Sequence, residues 1–380
     1  MYSFKLRVSV LLALFLILWT GYPVSATTAI PVDCSAASAI LYEPSSGRVL
    51  YEKNAHVPRP MASTTKLMTA LLAAESYAPQ DTLVATAEAL AVEGSSMGLL
   101  AGDRIACEDL LHGLLLSSGN DAANVFALSM AGSYEAFADK MNARAAEIGM
   151  TATHFVTPSG LDAEGHGASA YDMALLAATV LKNERLAAIC ATEHKTITVN
   201  GRDMVLSNHN RLLSTVEGCV GMKTGYTSQS GRCLVSAATR NGVTLIAVTL
   251  DCSDDWQTHR VLLEEGFALM RSLTLSLPRT VSLTVFGGTR SEVDAVTEAT
   301  TVVCLQSDEA VTTKVTVLPY VWAPVEVGDP LGTVTYFIGD TAVATMPLTA
   351  SQAVPQAEEK TWLETMWRLF QRLFAEAVSR

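Results

Sequence analysis

Pro60-Met61-Ala62-Ser63-Thr64-Thr65-Lys66 is the stretch at which an extended segment gives way to a helical run over residues 67–75. Pro60 is typical of a position just before a helix start. Ser63 and Lys66 are three residues apart, which places them on one face of a helix about one turn apart. A serine hydroxyl needs a neighbouring base to become a good nucleophile, and a partly neutral lysine amine can be that base. The S-x-x-K spacing alone is weak, because about one match arises by chance in a chain of this length.

The bulk composition indicates an acidic globular protein. The chain has 380 residues, of which 49% are hydrophobic and 17% charged, so there is room for two domains and a sizeable core. The net charge is −12, from 26 basic and 38 acidic residues. Phosphate binding needs a basic surface, so nucleic acid is excluded as a main partner.

The N-terminus has the pattern of a secretory signal peptide. Lys5 and Arg7 precede the apolar run 8–19, and the small residues of Val24-Ser25-Ala26 follow. The alternative is an uncleaved anchor, but the apolar run is short for a membrane-spanning helix. We therefore predict a signal peptide at 1–26, cleavage after Ala26, and a protein exported to the extracytoplasmic face of the cell membrane or the cell wall.

The seven cysteines are scattered along the chain: Cys34, Cys107, Cys190, Cys219, Cys233, Cys252 and Cys304. No C-x-x-C pair and no zinc-like spacing with histidines occurs, so no metal site is predicted. Most of them are interpreted as buried small hydrophobic residues. A disulfide between Cys233 and Cys252, across a hairpin, stays open at this stage.

The order of elements predicts an α/β (α+β) domain over residues 27–276. A hairpin at 37–54 comes first, helical segments occupy the middle, and apolar strands at 220–224, 233–239 and 243–251 come late. Asn241-Gly242 between the last two strands is a strong hairpin signal. Strands early and late, with helices between them, favour an antiparallel sheet flanked by helices.

The last hundred residues have a different pattern of apolar and polar residues. Period-two alternation without helical stretches predicts a small all-β domain at 277–348, followed by a polar linker at 349–358. Residues 359–380 carry two tryptophans and other apolar side chains at helical spacing, opposite a charged face, which predicts an amphipathic helix. This helix would either lie in a membrane surface or pack on protein, and the tryptophans favour the membrane.

Two further motifs support the interpretation of Ser63 and Lys66 as a nucleophile and its base. Ser118-Gly119-Asn120 lies in a break between helices, and Lys223-Thr224-Gly225 lies on a predicted strand. The ordered set S-x-x-K, S-x-N, K-T-G is known from penicillin-binding proteins and class A β-lactamases, and each pattern occurs once here. The sequence resembles the low-molecular-mass penicillin-binding proteins of the D-alanyl-D-alanine carboxypeptidase type over nearly all of the mature chain.

The resemblance implies a serine β-lactamase/transpeptidase-like fold and a serine-type D-Ala-D-Ala carboxypeptidase. By matching motif positions, Ser63 would attack the carbonyl between the two terminal D-alanines of a peptidoglycan stem peptide and form an acyl-enzyme. Lys66 would accept the serine proton, and Ser118 would relay a proton to the leaving D-alanine. No metal or organic cofactor is implied, and β-lactams would be covalent inhibitors.

The same resemblance implies a set of substrate-binding residues. Asn120 would hydrogen-bond the peptide backbone of the substrate. Lys223 would keep Lys66 partly neutral by charge repulsion and would bind the substrate carboxylate with Thr224 beside it. Gly225 belongs to the same strand, and the backbone N–H of Tyr226 would form the oxyanion hole with that of Ser63.

Four weaker candidates lie around these motifs. His166 and Asp172 belong to a loop that is similar to one near the family's site, but a purely structural role is at least as well supported. His209 occupies a position at which some relatives carry an arginine proposed to hold the substrate carboxylate. The identity of that anchor is therefore open, with Arg211 as an alternative.

Three other functions compete with the carboxypeptidase. A class A β-lactamase would need a glutamate with an asparagine four residues later, and no glutamate here has one. A D,D-endopeptidase of the same fold would cut a related bond in a cross-link. A non-enzymatic sensor of β-lactams or cell wall is a different class, against which the intact Ser63, Lys66 and Lys223 argue.

Overall fold

In the computed structural model, the residues described are 30, 32, 34–277, 280–357, 366–367 and 370–371. The predicted signal peptide at 1–26 lies outside them. Within the predicted helix at 359–380, only Met366, Trp367, Phe370 and Gln371 are described, and these four are helical and exposed. Among the described residues, no helix combines the length and apolar character needed to cross a bilayer.

The first part of the chain contains nine strands, and helices lie between and after them. In chain order its elements are β1 (Ser38–Glu43), β2 (Arg48–Lys53), a 3-10 turn (Ala62–Thr65), α1 (Lys66–Ser76), β3 (Thr82–Val84), α2 (Ala87–Leu90), β4 (Arg104–Ala106), α3 (Cys107–Leu115), α4 (Asn120–Ala131), α5 (Tyr134–Ile148), α6 (Ala170–Lys182), α7 (Glu184–Cys190), β5 (His194–Val199), β6 (Arg202–Ser207), α8 (Leu212–Thr215), β7 (Cys219–Thr227), β8 (Gly231–Arg240), β9 (Val243–Leu250) and α9 (Asp255–Leu269).

A five-stranded antiparallel sheet organises this part, in the order β2-β1-β9-β8-β7. Alternate side chains of β9 enter two different cores, as the pleat requires. Ile246 and Val248 pack with the large helical core, whereas Leu245 packs with Leu262 and Leu263 of α9. The prediction of an antiparallel sheet flanked by helices is confirmed, and β7 forms one edge of the sheet.

The second part of the chain contains only strands among its described residues up to 357. They are β10 (Met270–Leu275), β11 (Val281–Phe286), β12 (Glu292–Val296), β13 (Thr301–Gln306), β14 (Val311–Val317), β15 (Val321–Trp322), β16 (Pro330–Ile338) and β17 (Thr341–Ala350). Six of them form a sheet in the order β14-β16-β17-β12-β11-β15, over a core of its own. The predicted all-β character is confirmed. The limits 27–276 and 277–348 stay predictions, and β10, on the first side of that boundary, pairs with β13 on the other side.

The segment predicted as a linker at 349–358 is bound to the β domain as far as Ala357. β17 continues to Ala350, Val354 is fully buried and bridges Val325, and the N–H of Ala357 donates to the carbonyl of Gly287 over 2.8 Å. The polar composition is misleading here, because one buried valine and a row of backbone hydrogen bonds are enough to hold an extended segment.

All seven cysteines are thiols, and all but Cys219 are buried. The disulfide left open between Cys233 and Cys252 does not form. Cys252 lies beyond the end of β9, and its thiol hydrogen-bonds to that of Cys34 instead. This hydrogen bond lowers the pKa of Cys252 and raises that of Cys34.

Candidate active site

Ser63 and Lys66 lie at the junction of the 3-10 turn and α1. Ser63 is half-buried in the turn, and Lys66, the first residue of the helix, is completely buried. Lys66 Nζ lies 2.8 Å from Ser63 Oγ. The pair predicted from the S-x-x-K spacing is therefore within hydrogen-bond distance, as a nucleophile and its base must be.

The other neighbours of Lys66 Nζ define its hydrogen-bonding pattern. Nζ donates to Asn120 Oδ1 and to the carbonyl of Ser159, each over 2.7 Å. Asn120 Nδ2 donates to the carbonyl of Glu93, which fixes its Oδ1 toward the lysine. A neutral amine has two N–H groups and one lone pair. Since both carbonyl oxygens can only accept, the lone pair is left for the hydroxyl hydrogen of Ser63.

The surroundings favour this neutral form. Burial lowers the pKa of Lys66 well below its usual value, and the positive charge of Lys223 lowers it further, while Asp121 acts in the opposite direction. Lys223 is itself buried on β7, and burial lowers its pKa to about 7. Its Nζ donates to the carbonyl of Thr224 over 2.9 Å.

Two residues with left-handed backbone conformations flank the site. Ser118, between α3 and α4, is buried and has φ of 59°, and Ala62, directly before the nucleophile, has φ of 46°. Such conformations cost about 1–3 kcal/mol in non-glycine residues and persist where the surroundings enforce them. The S-x-N turn thus carries Ser118 inward and begins α4 with Asn120.

The edge strand β7 passes directly against the 3-10 turn. A Cβ atom added to Gly225 would lie 3.0 Å from the backbone nitrogen of Ser63 and 3.0 Å from the carbonyl oxygen of Met61. A side chain here would push the strand away from the nucleophile, which explains the glycine of K-T-G. Thr224 is half-buried and Tyr226 is 69% exposed, so this stretch of the edge is accessible.

Asp121 is a functional candidate that the motifs did not single out. Its carboxylate accepts hydrogen bonds from Ser96 Oγ and from the backbone N–H groups of Met97, Gly98 and Leu99. It therefore fixes the loop that follows Glu93, whose carbonyl orients Asn120. The carbonyl of Ser159 was also missed, because a backbone oxygen has no side-chain signature.

His166 holds the loop 154–167 against the 3-10 turn. Its Nδ1 accepts from the N–H of Val156 over 2.9 Å, so the proton is on Nε2, which lies 2.9 Å from Thr65 Oγ1. Burial lowers its pKa to about 4, so the ring is neutral. Asp172 accepts from Ala152 N–H and Thr153 Oγ1, which supports a structural role.

The two candidates for the carboxylate anchor differ in position. The charge of Lys223 adds to burial in lowering the pKa of His209, so the imidazole is close enough to that lysine to feel its field. Arg211 is exposed and lies directly before α8.

Comparisons with known proteins show which family the chain resembles. The sequence profile of the D-alanyl-D-alanine carboxypeptidase family matches residues 25–254, and that of the penicillin-binding protein 5 C-terminal domain matches 279–356. D-alanyl-D-alanine carboxypeptidase DacC of Escherichia coli is 32% identical over 93% of this chain and 92% of its own length. DacF of Bacillus subtilis is 37% identical, but the match covers 57% of this chain and 58% of that relative.

A solved structure extends the likeness to both domains. Penicillin binding protein 5 from Haemophilus influenzae superposes with a TM-score of 0.66 at 26% identity, covering 86% of this chain and 99% of that one. With both profiles matched in order, the chain belongs to the D-alanyl-D-alanine carboxypeptidase family of low-molecular-mass penicillin-binding proteins.

Proposed function

We propose that the protein is a serine-type D-Ala-D-Ala carboxypeptidase that removes the terminal D-alanine from peptidoglycan stem peptides. The observation that carries this function is the 2.8 Å approach of Lys66 Nζ to Ser63 Oγ, with both remaining neighbours of the amine being acceptors. A buried, neutral lysine in that position is a general base for the serine.

In the acylation step, Ser63 Oγ attacks the carbonyl carbon of the penultimate D-alanine while Lys66 Nζ takes the hydroxyl proton. The C–N bond then breaks, Lys66 returns its proton through Ser118 to the nitrogen of the departing amine, and free D-alanine leaves. Water then attacks the ester on Ser63, Lys66 takes the proton from the water and returns it to Ser63 Oγ, and the shortened peptide is released. Each step uses groups of this chain and one water molecule, so no oxidant or cofactor is required.

The substrate peptide is proposed to bind along the free edge of β7. An extended peptide can pair with an edge strand through main-chain hydrogen bonds. The backbone N–H groups of Ser63 and Tyr226 would hold the oxyanion, and Asn120 would contact the peptide backbone. Lys223, with Thr224 beside it, would hold the terminal carboxylate.

Release of D-alanine from a peptide ending in Lys-D-Ala-D-Ala tests this function. The mature protein should release one D-alanine per peptide, Ser63→Ala should release none, and the exposed Ser291→Ala should match the parent. If the parent instead cleaves only cross-linked dimers, the endopeptidase is the correct function. If it cleaves neither substrate yet is labelled by penicillin at Ser63, a sensing role replaces catalysis.

The place of action is part of the same proposal. We infer that the segment 1–26 directs export, because it has the pattern of a signal peptide. We also infer that residues 359–380 attach the protein to the extracytoplasmic face of the cell membrane, because they have the pattern of an amphipathic helix. Sequencing of the exported protein should find Thr27 at the N-terminus. An N-terminus at Met1 would contradict cleavage.

A further inference from the structure

Three aromatic side chains form an exposed cluster on the β domain. Phe286, Tyr320 and Trp322 are 45%, 46% and 68% exposed. Their ring centroids lie 5.4 Å apart for Phe286–Tyr320 and Phe286–Trp322, and 6.3 Å apart for Tyr320–Trp322. We call these three residues the aromatic patch. Contiguous exposed aromatic surface on a soluble domain commonly marks an interaction site.

The backbone under the patch is built from two paired strands. β11 ends at Phe286 and pairs in parallel with the short edge strand β15, where Phe286 stands opposite Trp322. The N–H of Ala323 donates to the carbonyl of Phe286 over 2.9 Å. Phe286 and Trp322 are therefore held on a hydrogen-bonded sheet edge, and Tyr320 lies directly before β15.

The described part of the chain up to residue 357 ends beside this patch. Thr289 N–H donates to the carbonyl of Pro355, and Ala357 N–H donates to the carbonyl of Gly287, the residue after Phe286. Ala357, two residues before the segment 359–380 in the sequence, is therefore bonded to the residue next to Phe286. Its described residues Met366 and Trp367 are 56% and 64% exposed.

The composition around the patch suits a lipid surface. The run 318–325 consists of Leu, Pro, Tyr, Val, Trp, Ala, Pro and Val, without a charge. Tryptophan and tyrosine concentrate at the membrane–water interface, where the ring is buried and its polar atom stays wet. The rings meet edge to face or tilted, at 79°, 40° and 88°, so they form a wedge and not the flat surface that stacking on a sugar ring needs.

We propose that the aromatic patch is a second membrane contact, which inserts into the interface of the bilayer next to the segment 359–380. This inference rests on the proposed membrane association of that segment. One helix on its own would leave the β domain free to turn about the point of attachment. A second contact beside the point of exit restricts that rotation and sets which way the protein faces.

Vesicle flotation separates the two attachments. Phosphatidylcholine vesicles, with and without phosphatidylglycerol, are mixed with the mature protein, the double variant Phe286→Gln/Trp322→Gln, and a chain ending at Ala357. The matched control is Val205→Gln/Val302→Gln, which replaces two exposed apolar residues elsewhere. We expect the patch variant to partition about tenfold less than the parent, the control to match it, and D-alanine release to be unchanged.

The outcomes are distinguishable. Equal flotation of the patch variant and the parent would overturn the membrane contact of the patch. The attachment through 359–380 is tested separately, by the flotation of the chain that ends at Ala357. A parent that does not float would overturn both. Loss of binding to isolated peptidoglycan in the patch variant, without a change in flotation, would assign the patch to a sugar surface and overturn the membrane contact.

Tryptophan quenching by brominated lipid tests insertion without a folding ambiguity. The emission of each tryptophan is obtained as the difference between the parent and the variant Trp322→Phe or Trp256→Phe. Brominated lipid should quench the emission of Trp322. It should not quench that of Trp256, since Trp256 packs under Arg232. An unquenched Trp322 contribution would overturn the inference even if flotation falls.

Discussion

At the residue scale, the chemistry depends on two buried lysines with opposite tasks. Lys66 must be neutral to take a proton from Ser63, and burial together with the charge of Lys223 lowers its pKa in that direction. Lys223 must be charged to hold a carboxylate, although burial lowers its own pKa to about 7. A carboxylate entering the site would stabilise the charged form of Lys223, which in turn keeps Lys66 neutral.

These two lowered pKa values, with that of Lys66 below that of Lys223 by our account, predict a bell-shaped pH profile of kcat/KM, which reports on the free enzyme. The rate should rise as Lys66 loses its proton and fall as pH passes about 7, where Lys223 loses its charge. In Lys223→Arg the falling limb should move well above pH 7, because a guanidinium stays charged. His209→Gln is the control and should keep the falling limb. An unchanged limb in Lys223→Arg would show that another group titrates there.

Asp121 should tune the same profile from a distance. Its charge raises the pKa of Lys66, so Asp121→Asn should move the rising limb of kcat/KM to lower pH. An amide nitrogen in place of Oδ2 also removes the acceptor for the N–H groups of Gly98 and Leu99, so the thermal midpoint should fall as well. Asp103 is a buried carboxylate that accepts from Leu100 N–H in a different turn. Asp103→Asn should therefore lower the thermal midpoint without moving the rising limb of kcat/KM.

At the element scale, the 3-10 turn is held between β7 and the loop 154–167, and glycines allow both approaches. Gly160 has φ of +85°, and a Cβ there would lie 1.9 Å from the carbonyl oxygen of Ala62. The nucleophile is therefore positioned by backbone contacts on two sides, and a methyl group at either contact would displace it.

Gly160→Ala and Gly102→Ala separate strain from collision. Gly102 has φ of +89°, but no atom lies within 4 Å of an added Cβ. Gly102→Ala should therefore lower the free energy of unfolding by only about 1 kcal/mol and leave D-alanine release unchanged. Gly160→Ala adds the collision with Ala62, and we expect about 3 kcal/mol together with a loss of kcat of at least about tenfold. Denaturant unfolding and D-alanine release measure the two effects. Equal costs at the two positions would contradict the collision.

Motifs and periodicity predicted the helices and strands that carry the site. They could not predict the features of the site that depend on backbone conformation alone. The S-x-x-K, S-x-N and K-T-G patterns identified Ser63, Lys66 and Asn120, which lie in contact. The carbonyl of Ser159 and the left-handed Ala62 could not be predicted, because neither depends on a side-chain type. Val354 shows the same limit, since one valine in a polar run gives no periodic signal.

At the scale of the whole molecule, the described residues form several hydrophobic cores. The helices and one face of the first sheet share a large core, whereas the β domain has its own. The two parts also meet: Cys304 of β13 packs in the core that Leu41 and Leu245 of the first sheet share with α9, and Arg48 pairs with Glu309 at 2.7 Å. The catalytic residues lie in the first part and the aromatic patch lies on the β domain, so we expect loss of stability in one core to have little effect on the other.

Val235→Ala and Val334→Ala test that independence with the same substitution. Both valines are fully buried in central strands, Val235 in β8 and Val334 in β16. Each should cost its own core about 2 kcal/mol. Thermal inactivation of penicillin acylation should shift by about 5 °C in Val235→Ala and little in Val334→Ala. Equal shifts would mean that the two parts unfold as one unit.

The central claim, that Lys66 activates Ser63 as the nucleophile, is tested most directly by locating the acyl group. Mature protein is treated with benzylpenicillin, and intact mass and peptide mapping identify the modified residue. The account predicts one adduct, on Ser63, absent in Ser63→Ala and formed at least about a hundredfold more slowly in Lys66→Met. An adduct on another residue, or full-rate acylation without the amine of Lys66, would contradict it.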